Sequence, residues 1–107
     1  MFIARKIGEE KFKDFIEDSN LLKTSDIELE EVGNPIKFDW NKCKLETVSF
    51  GHGITTTPLQ ATAVYAALAN GGKIIEPKLI KKESGVDKRL ISKATSVTVS
   101  YTHLRAH

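Results

Sequence analysis

Apolar residues recur with a helical spacing near the start of the chain. Phe12, Phe15 and Ile16 occupy positions i, i+3 and i+4, and charged side chains fill most of the positions around them. This pattern predicts a helix over residues 2–21. Gly8 interrupts it, and the two glutamates that follow Gly8 favour the first turn of a restarted helix, where the peptide dipoles attract negative charge.

A second helix is predicted over residues 57–70 from its end signals and its alanine content. Thr57 suits the N-cap, Pro58 suits the first helical position, and Gln60 can complete a capping box. The Asn-Gly-Gly sequence at residues 70–72 predicts the end of this helix, because glycine readily adopts the left-handed backbone of a helix C terminus. The expected buried stripe consists of Ala61, Val64, Ala67 and Leu68.

Short extended segments are predicted on either side of this second helix. Residues 24–32 alternate apolar and acidic side chains, which is typical of a half-exposed strand, and Gly33-Asn34-Pro35 predicts a turn after it. Residues 73–75 and 78–80 are apolar runs separated by Pro77, and they predict an extended segment with a bend.

Two other segments lack a clear period. Residues 36–44 are irregular, and we expect Phe38 and Trp40 to anchor this loop to the rest of the protein. Ser92 suits the N-cap of a helix beginning at Lys93, but the sequence that follows does not predict that this helix develops.

The composition bounds the class of protein. The chain has 107 residues, 40% of them hydrophobic and only 7% aromatic, so its core is expected to be thin. A single cysteine excludes an internal disulfide framework. The sequence contains no run of about 18 apolar residues that would span a membrane. A charged fraction of 28% with both signs mixed argues against disorder.

The charge is unevenly distributed along the chain. Residues 1–50 carry 8 basic and 11 acidic side chains, whereas residues 51–107 carry 8 basic and 3 acidic ones. The basic residues of the second part alternate with apolar residues and are not interleaved with aromatic ones, as a nucleic-acid-binding surface requires. We therefore predict a solvated surface and no nucleic-acid partner.

Two residues are candidates for chemistry in a self-contained enzyme. His52 lies between two glycines and is the best candidate for a base, while Cys43 is flanked by Lys42 and Lys44, which favour its thiolate form. A histidine in a turn and an inert thiol explain the same residues more simply. No His, Cys, Asp or Glu spacing of a metal site is present, so we predict neither a metal nor a cofactor.

The segment from Gly51 to Thr57 also suggests an anion site. Two glycines precede a helix start, where backbone N–H groups bind anions, and Thr55, Thr56 and Thr57 add hydroxyl groups. The third glycine of a dinucleotide fingerprint is missing, and so is the lysine of a phosphate-binding loop. A small independent module that binds anions at this turn stays open as an alternative.

Residues 46–73 resemble a specific enzyme family. The matching elements are Ser49-Phe50-Gly51-His52-Gly53, Thr57-Pro58-Leu59-Gln60 and Ala69-Asn70-Gly71-Gly72, followed by Pro77-Lys78-Leu79-Ile80. They are similar to the class B penicillin-binding proteins, the peptidoglycan D,D-transpeptidases, and most of all to the cell-division type. The resemblance covers residues 2–96. It implies an α/β (α+β) fold of the penicillin-binding transpeptidase and serine β-lactamase type, here mainly helices with short strands.

The motifs that carry this family's chemistry are not found in the chain. The family uses a serine in S-x-x-K as nucleophile, together with S-x-N and K-T-G elements. No S-x-x-K occurs, Asp18-Ser19-Asn20 lacks the S-x-N spacing, and Lys23-Thr24-Ser25 imitates the third element at the wrong place in the family order. The expectation is an inactive internal fragment with no catalytic, cofactor-binding or metal-binding residue; a Cys43/His52 enzyme ranks last.

The resemblance also implies what the parent protein does. Such an enzyme acylates its serine with a peptidoglycan stem peptide and passes the acyl group to an amine, and β-lactams bind in place of the stem peptide. Its expected partners are stem peptides, β-lactams and divisome or other cell-wall synthesis proteins. Its expected location is the inner membrane, anchored by a single pass, with this domain in the periplasm.

The last residues differ from the family. Residues 99–107, Val-Ser-Tyr-Thr-His-Leu-Arg-Ala-His, resemble the translation of a transposase-type sequencing adapter. We therefore expect two parts: residues 1–98 as a partial penicillin-binding transpeptidase domain, and residues 99–107 as a non-native tail.

Overall fold

Five helices and one two-stranded sheet make up the part of the chain that the structure describes. The structure is a computed structural model, and it describes residues 2–24, 27–34, 36, 39–40, 44–81 and 88–106. The elements in chain order are α1 (Phe2–Ile7), α2 (Glu9–Asp18), α3 (Lys44–Val48), α4 (Pro58–Ala69), β1 (Lys73–Ile74), β2 (Lys88–Arg89) and α5 (Lys93–Arg105). Helix α4 packs against β1 and α5, while α1 packs against α2 and α3.

The predicted break at Gly8 is confirmed. Gly8 has a φ of +90°, which separates α1 from α2. Of the predicted apolar stripe on α2, Ile16 is buried, and Phe12 contacts Trp40 edge-on with ring centroids 6.3 Å apart. Trp40 therefore anchors its loop as predicted, whereas Phe38 lies outside the described residues. Phe15, also in this stripe, stays 39% exposed.

The predicted strand over residues 24–32 is wrong in the part described. Residues 27–32 are irregular, and residues 25 and 26 lie outside the description. Within this segment the Leu29 N–H makes a local hydrogen bond instead of pairing with a strand, since it donates to the carbonyl of Ile27 at 2.8 Å. The acidic side chains are used differently as well, since the Glu28 carboxylate accepts a hydrogen bond from the N–H of Leu79 at 2.9 Å.

Helix α4 begins as its sequence predicts. The hydroxyl of Thr57 accepts a hydrogen bond from the N–H of Gln60 at 3.2 Å, and Pro58 occupies the first turn. Of the predicted stripe, Ala67 is buried, and Ala61, Val64 and Leu68 are half-buried. Gln60 and Ala63 are buried in addition, and the side-chain amide of Gln60 donates to the carbonyl of Lys23 at 3.0 Å.

The C terminus of α4 is closed by a side chain from a distant part of the chain. Gly71 and Gly72 both have a positive φ, and the Gly72 N–H donates to the carbonyl of Ala67 at 2.9 Å. The hydroxyl of Ser96, which is 1% exposed, accepts from the Gly71 N–H at 3.0 Å and donates to the carbonyl of Leu68 at 2.6 Å. Ser96 thus pairs two backbone groups that a helix end leaves without partners.

Helix α5 shows that one prediction was wrong. The predicted cap is present, because the Ser92 hydroxyl accepts from the N–H of Thr95 at 3.1 Å. The helix that follows, which we predicted not to develop, continues to Arg105. The β-branched residues of α5 have a weak helix propensity. In the folded chain, Ser96 makes a buried hydrogen bond to α4. The hydroxyls of Thr98 and Thr102 each donate to a backbone carbonyl one turn earlier in the helix.

The small sheet lies directly after α4. Strands β1 and β2 are antiparallel, with Lys73 opposite Arg89 and Ile74 opposite Lys88. Gly72 precedes the sheet, and its carbonyl accepts hydrogen bonds from the N–H groups of Leu90 at 2.7 Å and Ile91 at 3.2 Å. The extended segment predicted at residues 78–80 is irregular instead.

Gly71 and Gly72 offer a matched pair of substitutions. Their φ values are +94° and +92°, so alanine strains the backbone equally at both. A Cβ at Gly71 meets open space, whereas a Cβ at Gly72 would lie 2.1 Å from the carbonyl oxygen of Ile91. We expect Gly72→Ala to lower the free energy of unfolding by about 1–3 kcal/mol more than Gly71→Ala does, because the neighbouring backbone must move.

The measurement is an osmolyte titration of the full chain followed by circular dichroism, since osmolytes favour the buried state and give a folded baseline. The exchange rate of the Leu90 amide hydrogen reports the local contact. Equal losses for the two variants, with no change in that rate, would show that the backbone of Gly72 does not approach Ile91 closely.

Candidate functional site

The turn between α3 and α4 is built by the two glycines that the sequence singled out. Gly51 and Gly53 have φ values of +83° and +75°. The His52 N–H donates to the carbonyl of Thr47 at 3.0 Å and the Gly51 N–H to that of Val48 at 2.9 Å, which is the pattern of a Schellman motif. The predicted tight turn is confirmed, and it directs the chain from α3 to the start of α4.

The side chains of this turn lie at the surface. Phe50 is 63% exposed, and its ring centroid lies 6.3 Å from that of His52, at an angle of 31° between the rings. Ser49 is not free to act as a nucleophile in this arrangement, since its hydroxyl donates to the carbonyl of Glu46 at 2.6 Å. In the described ranges the imidazole of His52 makes no hydrogen bond or ion pair, and Cys43 lies outside them.

The three threonines before α4 are used mainly for structure. The hydroxyl of Thr56 donates to the carbonyl of Leu21 at 2.6 Å, and that of Thr57 caps the helix. Thr55 is exposed. The ammonium of Lys44 lies beside the turn, because a Cβ on Gly53 would meet it at 3.2 Å. The turn therefore offers an anion fewer hydroxyl groups than the sequence suggests.

Two segments resemble the family's catalytic motifs, namely Asp18-Ser19-Asn20 and Lys23-Thr24-Ser25. The hydroxyls of Ser19 and Thr24 have structural roles. Ser19 is 1% exposed, and its hydroxyl donates to the carbonyl of Ile16 at 2.7 Å, so it completes the end of α2. The hydroxyl of Thr24 donates to the side-chain oxygen of Asn34. Neither hydroxyl faces a base in the described part of the chain, and a nucleophile needs one.

Sequence reasoning missed how the turn after α2 is fastened to the start of α4. Two long-range hydrogen bonds make this connection, from Thr56 to the carbonyl of Leu21 and from Gln60 to that of Lys23. A signal for the second was present, because Gln60 is a polar residue next to the alanine positions of a helix that was expected to be buried. A buried amide requires a partner.

The described ranges hold neither a group of metal-ligating side chains nor a helix that could span a membrane. Three or more His, Cys, Asp or Glu side chains do not come together there in a group that could hold a metal ion. Nor is any described helix long and apolar enough to cross a membrane.

Curated relatives of the chain include a sporulation protein and a probable peptidoglycan D,D-transpeptidase. It is 29% identical over 92% of its length to the stage V sporulation protein D of Bacillus subtilis, and 29% identical over 88% of its length to a probable peptidoglycan D,D-transpeptidase FtsI of Caulobacter vibrioides. The chain spans 18% and 17% of the lengths of these two relatives.

Solved structures show the same fold. Penicillin binding protein 3 of Mycobacterium tuberculosis, in complex with aztreonam, superposes with a TM-score of 0.85 at 22% identity over 92% of this chain and 25% of that one. The transpeptidase domain of Burkholderia pseudomallei penicillin-binding protein 3 gives 0.81 at 18% identity, over 92% of this chain and 32% of that one. The predicted α/β fold of this type, helix-rich with a small sheet, is confirmed.

The sequence model of one family, described as the penicillin binding protein transpeptidase domain, matches residues 1–104. This match includes the serine-glycine turn, the capped α4 and the sheet that follows it. The chain therefore belongs to the penicillin binding protein transpeptidase domain family.

Proposed function

We propose that this chain is a structural part of a peptidoglycan D,D-transpeptidase, which cross-links stem peptides by serine acyl transfer and binds penicillin. The observation that carries the proposal is the family match over residues 1–104, together with relatives that are themselves named transpeptidases. The sequence has no S-x-x-K, so the acylated serine belongs to another part of the parent protein.

In the parent protein this segment serves as a scaffold that positions the elements bearing the catalytic residues. Helix α4 is fixed at its start by the cap of Thr57 and by the Gln60 bond to Lys23, and at its end by Ser96. A helix held at both ends positions the elements that pack on it, and precise positioning is a large part of the rate enhancement of an enzyme.

Exposed apolar side chains support this view of the segment. The large ones that are more than half exposed include Phe2, Ile3, Phe50, Tyr65, Leu79 and Ile80. Water contact of this extent is unfavourable, and such surface marks an interface. We propose that the rest of the transpeptidase domain covers it in the parent protein.

The setting of the parent protein is proposed from the family as well. Its substrates are peptidoglycan stem peptides, and β-lactams bind at the same serine. Its partners are divisome or other cell-wall synthesis proteins, and it is anchored in the inner membrane by a single pass with this domain in the periplasm.

Residues 99–107 are proposed to be a non-native tail on a partial domain of residues 1–98. The support is their resemblance to translated adapter sequence. They continue helix α5, and the family match reaches residue 104, so neither feature marks a boundary at residue 98. Genomic DNA amplified across codons 98 and 99 is expected to diverge from the adapter sequence at this junction; genomic reads that continue unchanged to codon 107 would refute the tail.

Labelling with a fluorescent penicillin tests the proposed function. The full 107-residue chain is expected to give no covalent label that survives denaturation, because acylation requires the absent nucleophile. The complete parent protein is expected to be labelled with one penicillin per molecule, and an excess of unlabelled penicillin should block the label. In-gel fluorescence measures both.

Covalent labelling of the 107-residue chain would contradict the assignment of the nucleophile to another part of the protein. An unlabelled parent protein would contradict the transpeptidase itself. The anion-binding alternative predicts a different result: a chain that melts cooperatively alone, with a melting temperature that rises when sulfate is added and falls back when Lys44→Ala is introduced.

A further inference from the structure

Asn70-Gly71 is the one Asn-Gly pair in the sequence, and it lies at the C terminus of α4. An asparagine followed by glycine is prone to deamidation, because glycine has no side chain to hinder attack by its own backbone nitrogen on the asparagine side chain. The other asparagines precede Leu21, Pro35 and Lys42. The side chain of Asn70 is exposed, so water reaches it.

Deamidation at this pair takes two steps and consumes one water molecule. In the first step the Gly71 nitrogen forms a bond to Cγ of Asn70, the bond from Cγ to the side-chain nitrogen breaks, and ammonia leaves with the Gly71 amide proton. In the second step water opens the five-membered ring at either of its carbonyls, which leaves aspartate or isoaspartate at position 70. No group is oxidised or reduced.

The folded backbone keeps the two reacting atoms apart. Asn70 has a φ of −99° and a ψ of 18°. This ψ nearly eclipses the Gly71 nitrogen with the backbone nitrogen of Asn70, and so turns it away from the Asn70 side chain. The side-chain oxygen is held as well, since it accepts a hydrogen bond from the Lys73 N–H at 3.1 Å. Ring closure therefore requires residues 70 and 71 to leave the conformation that ends α4.

The position of the Gly71 nitrogen depends on helix α5. In a Schellman motif the N–H of the residue at this position donates directly to a carbonyl of the last helical turn. Here the hydroxyl of Ser96 lies between the two groups, since it accepts from the Gly71 N–H at 3.0 Å and donates to the carbonyl of Leu68 at 2.6 Å. Ser96 is 1% exposed, so it holds the Gly71 nitrogen only while α5 is packed on α4.

We propose that Asn70 is a deamidation site that the packing of α5 keeps closed, with Ser96 as the residue that closes it. The isoaspartate product has one more carbon in the main chain, which displaces the Gly72 N–H from the Ala67 carbonyl that it bonds at 2.9 Å. Both products place a carboxylate at the C terminus of a helix, where the peptide dipoles disfavour negative charge. The reaction thus makes an opening of this helix end permanent. The proposal does not rest on the transpeptidase function.

Deamidation rates of the full chain test this site. The chain is incubated at mildly alkaline pH in an osmolyte that favours the folded state, and tandem mass spectrometry follows aspartate and isoaspartate at position 70. Ser96→Ala removes the closing hydroxyl, and the control Thr57→Ala removes the cap at the other end of α4. We expect Ser96→Ala to raise the rate at Asn70 about five- to tenfold, because two hydrogen bonds are lost, and Thr57→Ala to raise it less than about twofold.

Two outcomes of this comparison would overturn the proposal. Equal acceleration by Ser96→Ala and Thr57→Ala would show that the site opens only when the whole fold unfolds. An unchanged rate in Ser96→Ala would show that ring closure does not depend on α5. Circular dichroism of each sample checks that the variants keep the helix content of the unmodified chain.

A second measurement uses the unmodified chain and needs no variant. As osmolyte is added, we expect the deamidation rate at Asn70 and the hydrogen-exchange rate of the Gly71 amide to fall in the same proportion, because both require this amide to be released. A deamidation rate in osmolyte equal to the rate in urea would show that the fold does not protect Asn70, and would contradict the proposal.

Discussion

The structure depends on hydrogen bonds that close both ends of helix α4. At the start, Thr57 caps the first turn, and Gln60 reaches the turn after α2. At the end, the hydroxyl of Ser96 lies between the Gly71 N–H and the carbonyl of Leu68, and the carbonyl of Gly72 starts the pairing that leads into β2. Helix ends carry the backbone groups that most need partners, so the segments before and after α4 are arranged around them.

This arrangement explains why so small a core suffices to organise the described residues. The buried apolar residues are few among those described, and half of them are alanines, of which Ala67 is the most buried. Polar side chains carry much of the specificity instead, since Ser19, Gln60 and Ser96 are buried and each donates to a defined backbone carbonyl. Hydrogen bonds of this kind fix the orientation of the segments before and after α4. They leave large apolar side chains exposed, as expected for a segment of a larger domain.

Local chemistry determined which elements could be predicted from the sequence. Gly8, Thr57, Pro58 and the glycines after α4 act through their own backbone or first turn, and the structure has them as predicted. Two predictions about elements that make distant contacts were wrong. The strand expected over residues 24–32 is irregular in its described part, where Glu28 accepts from the backbone of Leu79, 51 residues away. Helix α5 forms and makes its buried contact with α4 at Ser96.

In the candidate site, too, local features were predicted from the sequence and distant contacts were not. The glycine turn was predicted, because a Schellman motif needs glycine at one position, but the hydroxyl groups around it were not. Thr56 and Ser49 donate to backbone carbonyls, which no pattern in the sequence indicated. The cavity lined by Asn20, Gln60 and Ile74 was not predicted either, since its walls come from three separate segments.

The central claim is that this chain is the frame of a transpeptidase domain whose nucleophile lies elsewhere in the gene. The most direct measurement is the nucleotide sequence of the genomic locus upstream of the codon for Phe2. The account predicts an S-x-x-K box followed by an S-x-N element in the same reading frame. An uninterrupted reading frame upstream of this codon that contains no S-x-x-K would contradict it.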